Sequence, residues 1–184
     1  MVLMKIKEII KKVLNKFNYK IISKNDWNQK VENLIVEATE KDLKKLKKID
    51  EISLTSYPNR WSLLQSLSHI NQNNIDGEIV ETGVYKGANL ILINDFLCEH
   101  NLKKKIYAYD TYEGQPQPSE KDYDIKGTKM IEKFKDYEKK NIIPVFCSLD
   151  DVKENILKYS KNNLDLITFI KGKVEDTLVI EKNL

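Results

Sequence analysis

In the stretch GEIVETGVYKGANLILI, Gly77 to Ile93, the acid Glu81 stands two residues before Gly83, and Gly87 lies four residues beyond that. Glycine takes backbone angles closed to other residues, so Gly83 suits a sharp turn at which a ligand can approach backbone amides. Gly87 would let a helix begin close to a sheet. The spacing is ExGxxxG, which lacks one of the glycines that bring a pyrophosphate against the backbone in the GxGxxG turn. An acid at this point suits a cationic or amine-bearing group better than a phosphate. A second acid, Asp110, ends the run KIYAYD, where a carboxylate can accept both hydroxyls of a ribose. Glu81, Gly83, Gly87 and Asp110 together read as a site for a nucleoside with an amino-acid or sulfonium tail, the chemistry of S-adenosylmethionine. The competing reading of the pattern is a structural turn beside a solvated Asp110.

Strands and helices must hold these residues, and the sequence offers them in alternation. EIVET carries β-branched residues into Gly83, and ANLILINDFLCEHN reads as a helix beginning just after Gly87. KIYAYD is a second strand, YEGQPQPSEKD a proline-rich loop, IIPVFC a candidate strand, and LITFIKG, Leu166 to Gly172, the last strong strand. SLDDVKENI opens on Ser148 with Asp151 three positions on, the spacing of a capping box with Asp in place of Glu. Strand, helix, strand, helix, strand is the order of a parallel sheet with crossover helices, a doubly wound α/β architecture. Ligands in such sheets bind beyond the carboxyl ends of the strands, here Glu81 to Gly87, Asp110 to Gly114 and Gly172 to Asp176.

Upstream, SYPNRWSLLQSLSHI predicts a helix to about Asn71, opened by Ser56 and Pro58. Before it, residues 1–52 predict an N-terminal helical extension to a domain over 53–184. In KIKEIIKKVLNKF, Ile6, Ile9, Ile10, Val13, Leu14 and Phe17 make one apolar stripe and lysines fill the opposite face. Such a helix can dock on the protein's own core or lie on an anionic membrane surface through residues 1–17; the ordinary aliphatic stripe favours docking. A second helical stretch, with Leu43 and Leu46, runs to about Ile49.

At 184 residues, with 41% hydrophobic and 32% charged residues, the chain is long enough for one principal core and is not disordered by composition. A net charge of +3 with acids interleaved among lysines gives no footprint for nucleic acid. Cys98 and Cys147 have no CxxC spacing and His69 and His100 stand alone, so all four read as packing residues. No run approaches the length of a membrane span and no signal-like core is present, so the expected compartment is the cytoplasm.

IVETGVYKGANLIL, YAYDTYEGQPQPSEKD and FIKGKVEDTL, in this order and spacing, closely resemble the macrocin O-methyltransferase family, S-adenosylmethionine-dependent enzymes that methylate sugar hydroxyls. TSYPNR and SLDDVKENI also look similar, so the resemblance covers about Ser53 to Leu184. It implies a Rossmann-like class I methyltransferase fold, α/β with a partial sheet and the N-terminal helical extension. It places Glu81, Gly83 and Gly87 around the methionine part of S-adenosylmethionine and Asp110, with Thr111 beside it, at the ribose. Gly172, Val174, Glu175 and Asp176 would flank the adenine, with Tyr112 and the Gln115 to Pro118 loop along the cofactor edge. Tyr57 and Arg60 match a segment that in the family helps close over the site. The implied acceptor is a small molecule or glycan, through a sugar hydroxyl, and the resemblance leaves a homo-oligomer open.

Enzymes similar to this chain also bind a divalent cation, expected to be magnesium, and take their base from acidic clusters at the ends of the next two strands. The chain ends at Leu184 before either cluster, so a fragment or truncated product without turnover of its own is expected, and no catalytic residue or metal ligand is named. Asp150 and Asp151 are adjacent, but they fall in the first turn of a helix, where acids offset the helix dipole. Two other classes stay open: a non-catalytic module binding S-adenosylmethionine or a nucleotide, and an NAD-dependent oxidoreductase, against which the ExGxxxG spacing argues.

Overall fold

A computed structural model describes residues 35–160, 162 and 164–178, with Ile10 and Leu14. The basic helix expected over Lys5 to Phe17, and any membrane contact through it, otherwise lies outside the described residues.

Three parallel strands form the sheet: β1, Ile79–Thr82, β2, Ile106–Asp110, and β3, Ile167–Lys171, in the order β1-β2-β3. Ile79 pairs with Ile106 and Ile106 with Ile167, so the three strands start level and their carboxyl ends emerge together. β2 is central, and β1 and β3 are edges among the described residues. This level finish puts Glu81, Asp110 and Gly172 at one end of the sheet.

Five of the helices frame this sheet. Helix α1, Glu40–Lys47, is opened by Thr39 and Asp42 in a reciprocal capping box. Helix α2, Tyr57–Gln72, is capped by Ser56 and has proline in its first turn. Helix α3, Ala88–Glu99, links β1 to β2, while α4, Met130–Lys139, and α5, Leu149–Tyr159, lie between β2 and β3. The Ser148 and Asp151 capping box forms as the spacing predicts, with Ser148 Oγ accepting from Asp151 N at 3.2 Å. A single turn, α6, Val174–Thr177, follows β3.

Helix α3 is mostly apolar because most of it is covered: Leu90 and Ile91 are fully buried, and α2, α5 and β2 pack around it, while Asp95 and Glu99 keep access to solvent. Ile35, Leu46, Ile49 and Ile52 join this same core, so the described part of the N-terminal extension packs into the body that carries the sheet. Surface ion pairs add to the docking, with Glu99 on α3 bonded to Lys41 and Lys45 on α1. Cys98 and Cys147 are free thiols, and burial raises the Cys147 thiol above its ordinary value.

Two elements differ from the sequence reading. IIPVFC is not a strand: it is a loop in which Pro144 offers no N–H and Val145 takes φ of +55°. Pro144 O instead accepts from Gln115 N at 2.9 Å, tying this loop to the proline-rich one. Helix α4 is the second difference. Its signal is Met130, Phe134 and Tyr137 at helical spacing, but only Phe134 is buried and no side chain caps its start.

Gly87, at φ +82°, is the N-cap of α3 and lies against α5: a Cβ there would stand 3.1 Å from Val152 Cγ1 and 3.4 Å from Ile156 Cγ1. Left-handed strain and overpacking add at this position, so Gly87→Ala is expected to lower stability by about 2 kcal/mol. Urea denaturation of parent and variant measures it; a loss below about 0.5 kcal/mol, within ordinary surface effects, would show that α5 yields to the methyl.

Candidate functional site

The strand ends are drawn into one site by the carboxylate of Asp110. Its Oδ2 accepts from Val84 N at 2.6 Å and from Tyr85 N at 2.9 Å, both in the turn after β1, while Oδ1 accepts from Tyr112 N at 3.0 Å in its own loop. Gly83 continues the ladder by donating its N–H to Tyr109 O at 2.8 Å. It then turns with φ of +80°, and no described residue lies within 4 Å of where a Cβ would be. Tyr85 and Tyr112 both sit at positive φ, +51° and +53°, in conformations held by these bonds to Asp110. The Tyr112 hydroxyl donates to Ala108 O at 2.9 Å and is buried, which raises its ionisation well above the ordinary value, with the charges of Asp110 and Glu81 adding to the rise.

Beyond these ends lies a cleft of about 840 Å³. Gly83, Asp110 and Thr111 line one side, and Gly172, Val174, Glu175 and Asp176 the other. The Gly114 to Gln117 loop, Val145, Thr82, Tyr109 and Lys173 complete it. A side cavity of about 250 Å³ adjoins it and shares Gly83, Asp110 and Val145. Glu81 and Asn89 line this cavity together with Ser53, Leu54 and Thr55.

Glu81 is the unusual group. Its Oε1 accepts from Asn89 Nδ2 at 3.1 Å, whereas its Oε2 is buried with no hydrogen-bond partner among the described residues. Burial foremost pushes the carboxyl up to about 7, against a smaller downward pull from the Asn89 amide, and the nearby Asp110 charge adds to the rise.

Seven residues assigned to the cofactor by sequence, namely Gly83, Asp110, Thr111, Gly172, Val174, Glu175 and Asp176, line the large cleft, and Glu81 lines the side cavity. Gly87 lines neither; it is buried under α5, where its role is close packing. Tyr57 and Arg60 also line neither, and each is only 5% exposed. Arg60 Nη1 donates to Leu46 O at 2.7 Å and to Asp50 Oδ1 at 2.5 Å, its Nε donates to Thr55 O at 3.1 Å, and the Tyr57 hydroxyl donates to Asp50 Oδ2. The pair therefore reaches the site through the backbone: it pins Thr55, and the Ser53 to Thr55 segment walls the side cavity. Sequence reasoning missed Ser53, Leu54, Thr55, Asn89 and Val145. Asn89 reaches Glu81 only because the glycine turn doubles the chain back, and no spacing rule marks that.

An orphaned carboxylate oxygen, a strand-end acid and an open glycine turn fit a ligand that carries both a cation and a ribose. A divalent cation is a different matter: no group of three or more His, Cys, Asp or Glu that could hold one gathers among the described residues.

A parallel α/β sheet with a cleft beyond its strand ends, opened by a glycine turn, defines a Rossmann-like methyltransferase fold. The solved structure of the O-methyltransferase NovP shares it, with a TM-score of 0.56 and 22% sequence identity over 71% of this chain and 51% of that one. The chain belongs to the Macrocin-O-methyltransferase (TylF) family, whose model matches residues 8–183. Demethyldecarbamoylnovobiocin O-methyltransferase of Streptomyces niveus is 26% identical over 118 residues, 64% of this chain and 42% of that protein. The chain thus spans about half the length of these relatives.

Two outcomes follow from this geometry. The folded-state value of Glu81, about 7, lies above the ordinary 4.5, so its contribution to stability is fully present below pH 4.5 and is lost as pH rises through 7. Denaturation of the empty protein at a series of pH values should show this loss, about 3 kcal/mol at most, and the difference between parent and Glu81→Gln isolates it; parallel curves would remove the assignment. Arg60→Ala leaves Asp50 Oδ1 and two carbonyls without the guanidinium that donates to them and should cost about 3 kcal/mol by the same measurement.

Proposed function

We propose that the chain carries the S-adenosylmethionine-binding part of an O-methyltransferase acting on a sugar hydroxyl of a glycosylated natural product or surface glycan. The grip of Asp110 on the glycine turn carries the reading. A dinucleotide or phosphate ligand needs the backbone N–H groups of such a turn free to meet its phosphate. Here the N–H groups of Val84 and Tyr85 already donate to a carboxylate, and a second carboxyl, Glu81, lies alongside. That electrostatic setting repels phosphate and favours a ligand whose tail is cationic.

In this reading the adenosine occupies the large cleft between Asp110 and the Gly172 to Asp176 segment, with the ribose hydroxyls at Asp110 and Thr111. The methionine end enters the side cavity between Glu81, Asn89 and the Ser53 to Thr55 segment. A sulfonium needs little activation, so the contribution of these residues is to hold the methyl in line with an acceptor oxygen and to keep water away. Leu54, 72% exposed, and Val145 stand at the edge of that cavity as apolar surface for the acceptor. The family name, macrocin, and the relative named for demethyldecarbamoylnovobiocin support an acceptor of the glycosylated natural-product class. A magnesium ion, if bound, would help remove the acceptor's hydroxyl proton, but among the described residues no group of three or more His, Cys, Asp or Glu gathers that would hold one.

Isothermal titration calorimetry tests the reading: S-adenosylmethionine and S-adenosylhomocysteine should bind and NADH should not. NADH binding in preference to both would establish an oxidoreductase-type site. Asp110→Ala removes charge-assisted hydrogen bonds of about 1.5 to 3 kcal/mol each and releases the turn, so affinity should fall at least tenfold. Unchanged affinity would take the ribose away from this strand end.

A further inference from the structure

We infer that filling the side cavity releases a proton: Glu81 is neutral in the empty site and gives its proton to solvent when the ammonium group of a ligand settles against Oε2. The inference rests on the cofactor reading above and concerns the ionisation of one named group within it.

Three observations carry it. The buried Oε2 has no hydrogen-bond partner among the described residues, although the cavity it lines is large enough for a small ligand group. A neutral carboxyl tolerates that position far better than a carboxylate, whose charge would lie buried with an acceptor unmet. Among the described residues the ionisable groups that face it are Asp110 and Tyr112 at the end of β2 and Tyr85 in the glycine turn, and no described lysine, arginine or histidine lines the cavity. None of these groups neutralises a Glu81 carboxylate. Finally, the two acids are unequally provided for: Asp110 accepts three backbone N–H groups, and Glu81 accepts one side-chain amide. Negative charge in the empty site therefore belongs on Asp110.

The ligand group that changes this must bring both a positive charge and a donor. A sulfonium has the charge but no N–H, whereas an ammonium has three donors. The balance is simple: the Glu81 carboxyl and the ligand ammonium become a carboxylate and ammonium pair, and one proton passes to the buffer. If the ligand arrives as a free amine the proton moves from Glu81 to the amine instead, with no net release. An α-amino group loses its proton near pH 8, and burial holds the Glu81 carboxyl near 7 in the empty site. Release should therefore approach one proton near pH 6 and cancel at about pH 7.5; by about pH 9, where Glu81 is already ionised and the ligand is a free amine, binding should instead take up about one proton, and below about 7 affinity should rise about tenfold for each unit by which pH increases.

S-adenosylhomocysteine is the probe, because it has the ammonium and lacks the sulfonium. Calorimetric titration at pH 6 in buffers of different ionisation enthalpy reads the number of protons released. The expected result is close to one with the parent, and close to none with 5′-methylthioadenosine, which lacks the amino-acid tail, or with Glu81→Gln. Binding of S-adenosylhomocysteine without release would overturn the inference and leave the cofactor reading standing. Release that persists in Glu81→Gln would assign the proton to another group and overturn it equally. If neither S-adenosylhomocysteine nor S-adenosylmethionine binds, the cofactor reading fails and the inference with it. Should Glu81→Gln not fold, the carboxyl carbon resonance of Glu81 in the labelled parent, assigned through its backbone, decides: it should be that of a neutral acid at pH 6 and move to the ionised position on adding S-adenosylhomocysteine. A resonance already ionised in the empty protein would sink the idea.

Discussion

The site depends on one carboxylate. Asp110 stands at the end of the central strand and takes the backbone N–H groups of Val84 and Tyr85 from the neighbouring strand end and that of Tyr112 from its own loop. Hydrogen bonds to a charged acceptor are among the stronger ones in a protein. Here they hold two non-glycine residues in left-handed conformations that would otherwise be unfavourable. The same bonds decide what the cleft can hold, because amides committed to Asp110 are withdrawn from any phosphate. Shape and selectivity thus have a common cause.

Around that point the fold works by unequal treatment of similar groups. Gly83 and Gly87 share a left-handed φ, yet open space adjoins the first and the side chains of α5 press against the second. One makes room for a ligand and the other makes room for a helix. The two acids divide in the same way: Asp110 is surrounded by donors, and Glu81 is buried with one oxygen unmet. Pairs of titratable groups in contrasting surroundings are a common property of binding and catalytic sites.

The N-terminal side contributes through backbone. Buried Arg60 and Tyr57 both bond the half-buried Asp50, and Arg60 also binds Leu46 O and Thr55 O, so α1, α2 and the segment between them are fixed as one unit. The reward for burying an arginine here is position. Ser53 to Thr55 becomes a wall of the side cavity, although the arginine itself never reaches it.

Much of this was legible in the residues. Short-range rules placed the elements: β-branched runs ending in Gly83 and Asp110, the capping residues Ser56 and Ser148, and the mostly apolar α3 all read correctly, because each reports on neighbours within a turn or a strand. The strand-end acids and the glycine turn could be recognised as a ligand site for the same reason, since doubly wound sheets bring carboxyl ends together whatever the side chains. Where a long-range contact decided the matter, sequence spacing was silent. Pro144, bonded through its carbonyl to Gln115 N, and a left-handed Val145 made a turn of what looked like a strand, and nothing in the chain between Leu46 and Arg60 gave a sign of their hydrogen bond. By itself the sequence determined the α/β order and the acids at the strand ends, which follow from local propensity and the alternation of elements, and it pointed to the family only through the motif runs that resemble it. Tertiary structure alone decided that Asp110 binds the turn, that Gly87 faces a helix and that Glu81 lies buried with an oxygen unmet, because burial and hydrogen-bond satisfaction belong to the packed neighbours that only the folded chain assembles.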